Sequence, residues 1–181
     1  MFIVKAIALV LALTTVSCGG MTDDLRPSSA DNRQTADSAS TGGTQGQKAP
    51  DFTVSDTMGS SVNLYAQLES HSAVVLYFTM WCPVCSAHSD HMLTNTVPLH
   101  PNVKFFLVDY VSGTVPAARE AQVSNGYANT AFGVLVDSSD SLLASFGATM
   151  GTTVVISKSG EVLMKEDYKD GTALKNALAN L

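Results

Sequence analysis

Cys82 and Cys85 stand two residues apart, closely following the apolar run Ala73–Phe78 (AVVLYF), with Trp81 before them and Pro83 between them. No other feature restricts the fold as much. A continuous β-rich apolar run reads as a strand covered on both faces. Proline in a first helical turn loses no hydrogen bond, so a helix from Pro83 to about Leu93 is expected right after that strand. A thiolate at a helix N-terminus faces unpaired N–H groups and the positive end of the helix dipole, which favour its charge. Two intervening residues bring the second thiol round to the first across one turn. The pair can then close a disulfide or resolve a mixed one. By this geometry Cys82 is the exposed attacker and Cys85 the resolver.

The surrounding pattern supplies the rest of a domain. Phe52–Val54 and Val62–Leu64 flank Asp56-Thr57-Met58-Gly59 as a small opening hairpin. Val103–Tyr110 (VKFFLVDY) is a second buried strand, and Pro116–Val123 a helix with Gly126 beyond its end. Val134–Val136 reads as a short strand and Ser139–Phe146 as a short helix. Thr153–Ile156 and Glu161–Lys165 form a hairpin around Ser157-Lys158-Ser159-Gly160. Thr172–Leu181 closes the chain as an amphipathic helix. This order predicts an α/β domain, a central mixed sheet with helices on both faces.

Tyr77-Phe78-Thr79-Met80-Trp81-Cys82-Pro83-Val84-Cys85 resembles the active site of the thioredoxin-like superfamily. Ala49-Pro50-Asp51-Phe52 with its hairpin, and Gly151-Thr152-Thr153-Val154-Val155-Ile156 with the ending helix, are similar to the TlpA/ResA branch and its AhpC/TSA relatives. The resemblance covers nearly all of Lys48–Leu181. It implies a thioredoxin-like fold and a thiol–disulfide oxidoreductase that exchanges disulfides with protein substrates, with no cofactor and no resident metal. It also implies a substrate-contacting rim of Trp81, Pro83, Met150, Gly151 and Thr152.

Three positions depart from that family. Leu76 stands where many thioredoxins keep a buried acid, so proton transfer to the resolver must use water or another group. His88 and Asp90 replace the usual glutamate and proline of the following helix. Gly151 replaces the cis-proline that faces the cysteines. A cis bond before a non-proline residue costs about 2.5–4 kcal/mol. A trans Met150–Gly151 peptide is therefore expected, with the loop routed through dihedrals that glycine tolerates. On this reading the loop still approaches Cys82, and Gly151→Pro tightens substrate binding.

The N-terminal segment reads as an address. Lys5 and the apolar run Ala6–Val16 form a signal over residues 1–17, too short for the roughly 20 residues that span a bilayer. Cys18 follows at the place of the acylated cysteine in a bacterial lipoprotein, and acylation there accounts for the odd one of three cysteines. Gly19 resembles the outer-membrane sorting variant. Residues 18–47 are then a lipidated cysteine and a polar linker too poor in apolar side chains to fold, and 48–181 the domain. The expected setting is extracytoplasmic, on the periplasmic side, with the membrane reached through the lipid and a membrane thiol relay as redox partner. From Lys48 onward seven Lys and Arg face twelve Asp and Glu, a balance that excludes a nucleic-acid partner.

Two rival chemistries share these residues. Cys82, Cys85, His88 and His91, with Met80 and Met150 near, are soft ligands suited to Cu(I) or zinc. Steps of three, however, drift about 60° each around a helix, which spreads the four apart. Thr79-Met80-Trp81-Cys82 also fits half of a peroxiredoxin site, with Arg119 as its one candidate arginine. His88 and His91 otherwise read as solvated, His71 and His100 as loop residues, and Met58 and Met164 as packing. Asp109, at the end of a buried strand, either lies near the site or, as strand ends more often do, meets solvent.

Overall fold

Strand β3 (Ala73–Thr79) is buried at every residue, because it is an interior strand of a sheet covered on both faces. The computed structural model describes residues 40–179 and residue 181. The signal, Cys18 and most of the expected linker lie outside the described residues. Around β3 the chain runs β1 (Thr53–Asp56), β2 (Ser61–Asn63), α1 (Leu64–Ser70), β3, α2 (Pro83–Asn95), β4 (Val103–Asp109), α3 (Val115–Ser124) and β5 (Gly133–Val136). It continues with α4 (Ser141–Ser145), β6 (Thr152–Ser157), β7 (Val162–Asp167) and α5 (Thr172–Leu178).

The sheet order is β2-β1-β5-β4-β3-β6-β7. Strands β3, β4 and β5 are parallel, with Thr79 opposite Asp109 and Asp109 opposite Val136. The connection from β3 to β4 must therefore cross over, and α2 is that crossover. β6 runs antiparallel to β3, with Tyr77 opposite Thr153, and β7 pairs with β6. The opening hairpin β1–β2 joins the far edge through β5.

Alternation along β3 divides the core into two. Val74, Leu76 and Phe78 pack with Leu64, Leu68, Leu142 and Phe146 from α1 and its neighbours around α4. Ala73, Val75 and Tyr77 pack on the other face with Cys85, Met92, Leu174 and Leu178 from α2 and α5. This is the expected mixed sheet with helices on both faces, and it hangs the cysteine helix directly over Tyr77.

Three details differ from the sequence expectation. Leu64 opens a helix instead of ending a strand: Asn63 Oδ1 accepts the Ala66 N–H at 3.0 Å, and Leu64 and Leu68 are buried one turn apart. Packing begins before Lys48. The Gly42 N–H donates to Lys48 O, the Val162 N–H donates to Gln47 O and the Gly46 N–H donates to Val162 O, so residues 40–47 line the β7 edge instead of belonging to the linker. Met58, expected to pack, is 70% exposed in the hairpin turn, whereas Met164 is buried as expected.

Candidate active site

Cys82 is the N-cap of α2. Its backbone is extended (φ −81°, ψ 162°) and its Sγ accepts the Cys85 N–H at 3.2 Å. A sulfur thus replaces the hydroxyl or carboxylate that usually caps a helix. The two cysteines are free thiols with sulfurs 2.6 Å apart. Cys82 is half-buried, Cys85 is 1% exposed, and Pro83 and Val84 between them are exposed. Burial pushes the Cys85 thiol up. Hydrogen bonding from Cys82, from the Met80 and Cys82 backbone and from the Thr79 hydroxyl outweighs it and holds the thiol below its usual value. The hydrogen bond from the Cys82 side chain is the largest of these lowering causes.

Trp81 sits in the left-handed region at φ 59°, a conformation that costs a non-glycine residue about 1–2 kcal/mol. Two hydrogen bonds hold it there. Its backbone N–H donates to the Thr79 hydroxyl at 3.1 Å, and its indole N–H donates to Asp109 Oδ2 at 2.9 Å. Asp109 is fully buried and does not meet solvent as strand ends more often do. Its other oxygen accepts the backbone N–H groups of Val111 and Ser112, each at 3.0 Å. These three donors offset the desolvation of the carboxylate. The parallel register that pairs Asp109 with Thr79 brings it beside the site.

Behind the cysteines lies a chain of aromatic and imidazole groups. The hydroxyl of Tyr77, a fully buried residue, meets His88 Nδ1 at 3.0 Å. Burial, then the charge and hydrogen bonding of the Cys85 thiolate, push the Tyr77 phenol above the usual tyrosine range. His88 packs on Tyr168 with ring centroids 4.9 Å apart, and the Tyr168 hydroxyl meets His91 Nδ1 at 2.6 Å. On the other side of α2, Tyr127 donates to Asp90 Oδ1 at 2.9 Å and to Ser86 O at 3.2 Å. Burial, then the Asp90 carboxylate, push Tyr127 up to about 12. Both imidazoles are therefore bonded to phenols and not merely solvated.

The Met150–Gly151 peptide is trans, as no cis bond occurs among the described residues, and Gly151 takes φ 88°. Both findings match expectation. Its N–H donates to Phe78 O at 2.9 Å and its carbonyl accepts the Tyr168 N–H at 2.8 Å. The loop is thus pinned to the end of β3, the strand that delivers the cysteines. The consequence expected for Gly151→Pro does not survive, because proline would remove the donor to Phe78 and demands φ near −65°. Met150 is 38% exposed. Thr152 is buried, and its hydroxyl donates to Asp167 Oδ1 at 3.1 Å, so that side chain turns inward from the rim.

Among the described residues no three His, Cys, Asp or Glu side chains are grouped as a metal site. The Arg119 guanidinium is engaged with Gln122 Oε1 at 2.9 Å, which also accepts from Thr57 at 2.6 Å. The role of Tyr77 is what the sequence reading missed. Its signal was present: Tyr77 alternates with Val75 on one face of β3, and His88 follows Cys85 by three residues.

The Redoxin family matches residues 44–181. The chain belongs to that family. Membership and fold together make it a thioredoxin-like oxidoreductase. Solved structures agree on the fold. A thioredoxin-like protein from Aeropyrum pernix is 16% identical with a TM-score of 0.58, covering 72% of this chain and 89% of its own. A peroxidoxin from Mycobacterium tuberculosis is 21% identical with a TM-score of 0.57, covering 78% and 96%. The exposed lipoprotein thioredoxin of Streptococcus pneumoniae is 22% identical with a TM-score of 0.54, covering 73% and 100%. No curated protein matches the sequence.

Proposed function

We propose that the chain exchanges disulfides with extracytoplasmic protein substrates, Cys82 attacking and Cys85 resolving. One observation carries this reading: an accessible sulfur caps a helix 2.6 Å from a buried one. The Cys82 thiolate attacks a substrate disulfide and forms a mixed disulfide, releasing one substrate thiol. Cys85 then displaces the second thiol and closes Cys82–Cys85. The reverse sequence transfers the disulfide to a dithiol. Trp81, Pro83 and Met150 offer the substrate an exposed or half-exposed apolar rim, and Gly151 shapes the loop beside it.

The test is trapping. With Cys85→Ser, mixed disulfides with substrate proteins accumulate on Cys82; their absence, with the domain folded, refutes the assignment. The reduction potential of the pair sets the direction. A value near about −250 mV makes it a reductase and one near about −120 mV an oxidant.

The address rests on the sequence. Cys18 carries the lipid, the domain faces the periplasm from the membrane surface, and a membrane thiol relay renews the cysteine pair. Among the described residues no helix is long and apolar enough to cross a membrane. Cys18→Ala releases the protein from the membrane fraction; a wild-type N-terminus other than Cys18 overturns the anchor.

A further inference from the structure

Resolution of a mixed disulfide needs the Cys85 proton removed, and Cys85 is 1% exposed. While Cys82 is bonded to a substrate, the side-chain hydrogen bond it gives Cys85 in the free pair is gone, and only those of the Met80 and Cys82 backbone and the Thr79 hydroxyl remain. Burial persists. The polar side chains near Cys85 are Thr79, at the end of β3, Tyr110, whose phenol is raised by burial and then by the charges of Cys85 and Cys82, and Tyr77, whose hydroxyl alone is bonded on to an imidazole, His88 Nδ1 at 3.0 Å.

We propose that Tyr77 and His88 form the proton exit of Cys85, a relay for the thiol exchange proposed above and resting on that reading. The Cys85 S–H proton passes to the Tyr77 oxygen as the Tyr77 O–H proton passes to His88 Nδ1. Tyr77 ends as it began, Cys85 is a thiolate and His88 an imidazolium. The thiolate forms the Cys85–Cys82 bond and breaks the bond from Cys82 to the substrate sulfur. The leaving substrate thiolate takes up a proton from solvent, and His88 returns its own to solvent. The cysteine pair is oxidised and the substrate disulfide reduced by the same two electrons.

The chemistry of the relay residues suits these roles. Tyr77 is held protonated by burial and by the nearby thiolate, so it hands a proton on without storing charge. Burial, then the charge of His91, hold His88 below its usual value, so near neutral pH it is an empty acceptor. A phenol donating to Nδ1 requires the tautomer protonated at Nε2. The groups facing His88 are Tyr77 from β3, His91 from its own helix and Tyr168 from the segment after β7. None is an acid that would capture the proton first.

Stopped-flow mixing of the full-length reduced protein with dithiobis(nitrobenzoate) separates the steps. The first thionitrobenzoate reports attack by Cys82, and the second reports resolution by Cys85. Assistance by a positioned acid or base is commonly worth about 10²–10⁴-fold. Tyr77→Phe is expected to lower the ratio of second-phase to first-phase rates at least tenfold at neutral pH and to shift the second-phase pH profile upward. His88→Gln retains an acceptor for the phenol yet takes no proton, so it should slow the second phase and erase its imidazole inflection. A ratio and profile unchanged in both variants overturn the relay. Absence of even the first phase in the wild type overturns the thiol-exchange reading instead.

Discussion

The buried carboxylate of Asp109 accepts the indole N–H of Trp81 at 2.9 Å, tying the end of β4 to the residue that precedes the first cysteine. Trp81 is the only tryptophan in the chain and is held in left-handed backbone geometry. The bond therefore fixes both the indole and the approach of the chain to Cys82.

Asp109→Ala would leave three N–H donors, on Trp81, Val111 and Ser112, without their acceptor. The expected loss is about 2–4 kcal/mol, since hydrogen bonds to charged groups are worth about 1.5–3 kcal/mol each and water recovers part. Chemical denaturation measures the loss, and Trp81 fluorescence reports whether the indole has moved into solvent. Asp109→Asn should keep one acceptor and lose less.

Alkylation distinguishes the two thiols. Cys82 is half-buried and Cys85 almost wholly so. A bulky alkylating reagent at neutral pH should label Cys82 first, leaving Cys85 to react only after denaturation. Mass spectrometry of the partially labelled protein identifies the site, and label appearing first on Cys85 contradicts the assigned roles.

Gly151 separates two kinds of strain. Gly151→Ala meets no atom within 4 Å but must adopt φ 88°, at a cost of about 1–2 kcal/mol. Gly151→Pro also removes the donor to Phe78 O, adding about 1–3 kcal/mol for a buried carbonyl left unpaired. Urea midpoints should therefore fall in the order wild type, alanine, proline. A proline variant as stable as wild type would mean that the loop re-forms with a different peptide geometry.

The depressed titration of His88 makes stability depend on pH. Its folded value lies below the ordinary 6.5 because of burial first and His91 second. Between the two values the unfolded chain binds more protons, so the contribution of His88 is complete above about pH 6.5 and is lost as pH falls through the folded value. The reduced protein should lose stability on moving from about pH 7.5 to about pH 5.5, and His88→Gln should lose less. Asp170, lowered chiefly by hydrogen bonding from Thr172, acts in a separate window below the ordinary 3.8.

Much of this domain is legible in its sequence for local reasons. A six-residue apolar run, a proline after a cysteine and a Ser-Gly turn each restrict the backbone within a few residues, so β3, α2 and the β6–β7 hairpin fall where pattern alone puts them. The CxxC spacing likewise needs only one helical turn to bring its sulfurs together. Helix α1 escaped because Leu64 and Leu68 declare a face only once the sheet beneath them exists. The place of Asp109 is open in the sequence for a related reason. Whether a strand-end carboxylate meets water or an indole depends on the parallel pairing with β3, which is a contact between residues thirty positions apart. The same holds for Tyr77 and His88, and for the residues 40–47 that line the β7 edge. Sequence determined the redox pair, its strand–helix setting and the glycine geometry of its facing loop, because these follow from covalent spacing and local dihedral preference. Tertiary structure alone decided what surrounds the buried thiol, because its partners come from separate elements that meet only when the apolar faces of the sheet are covered.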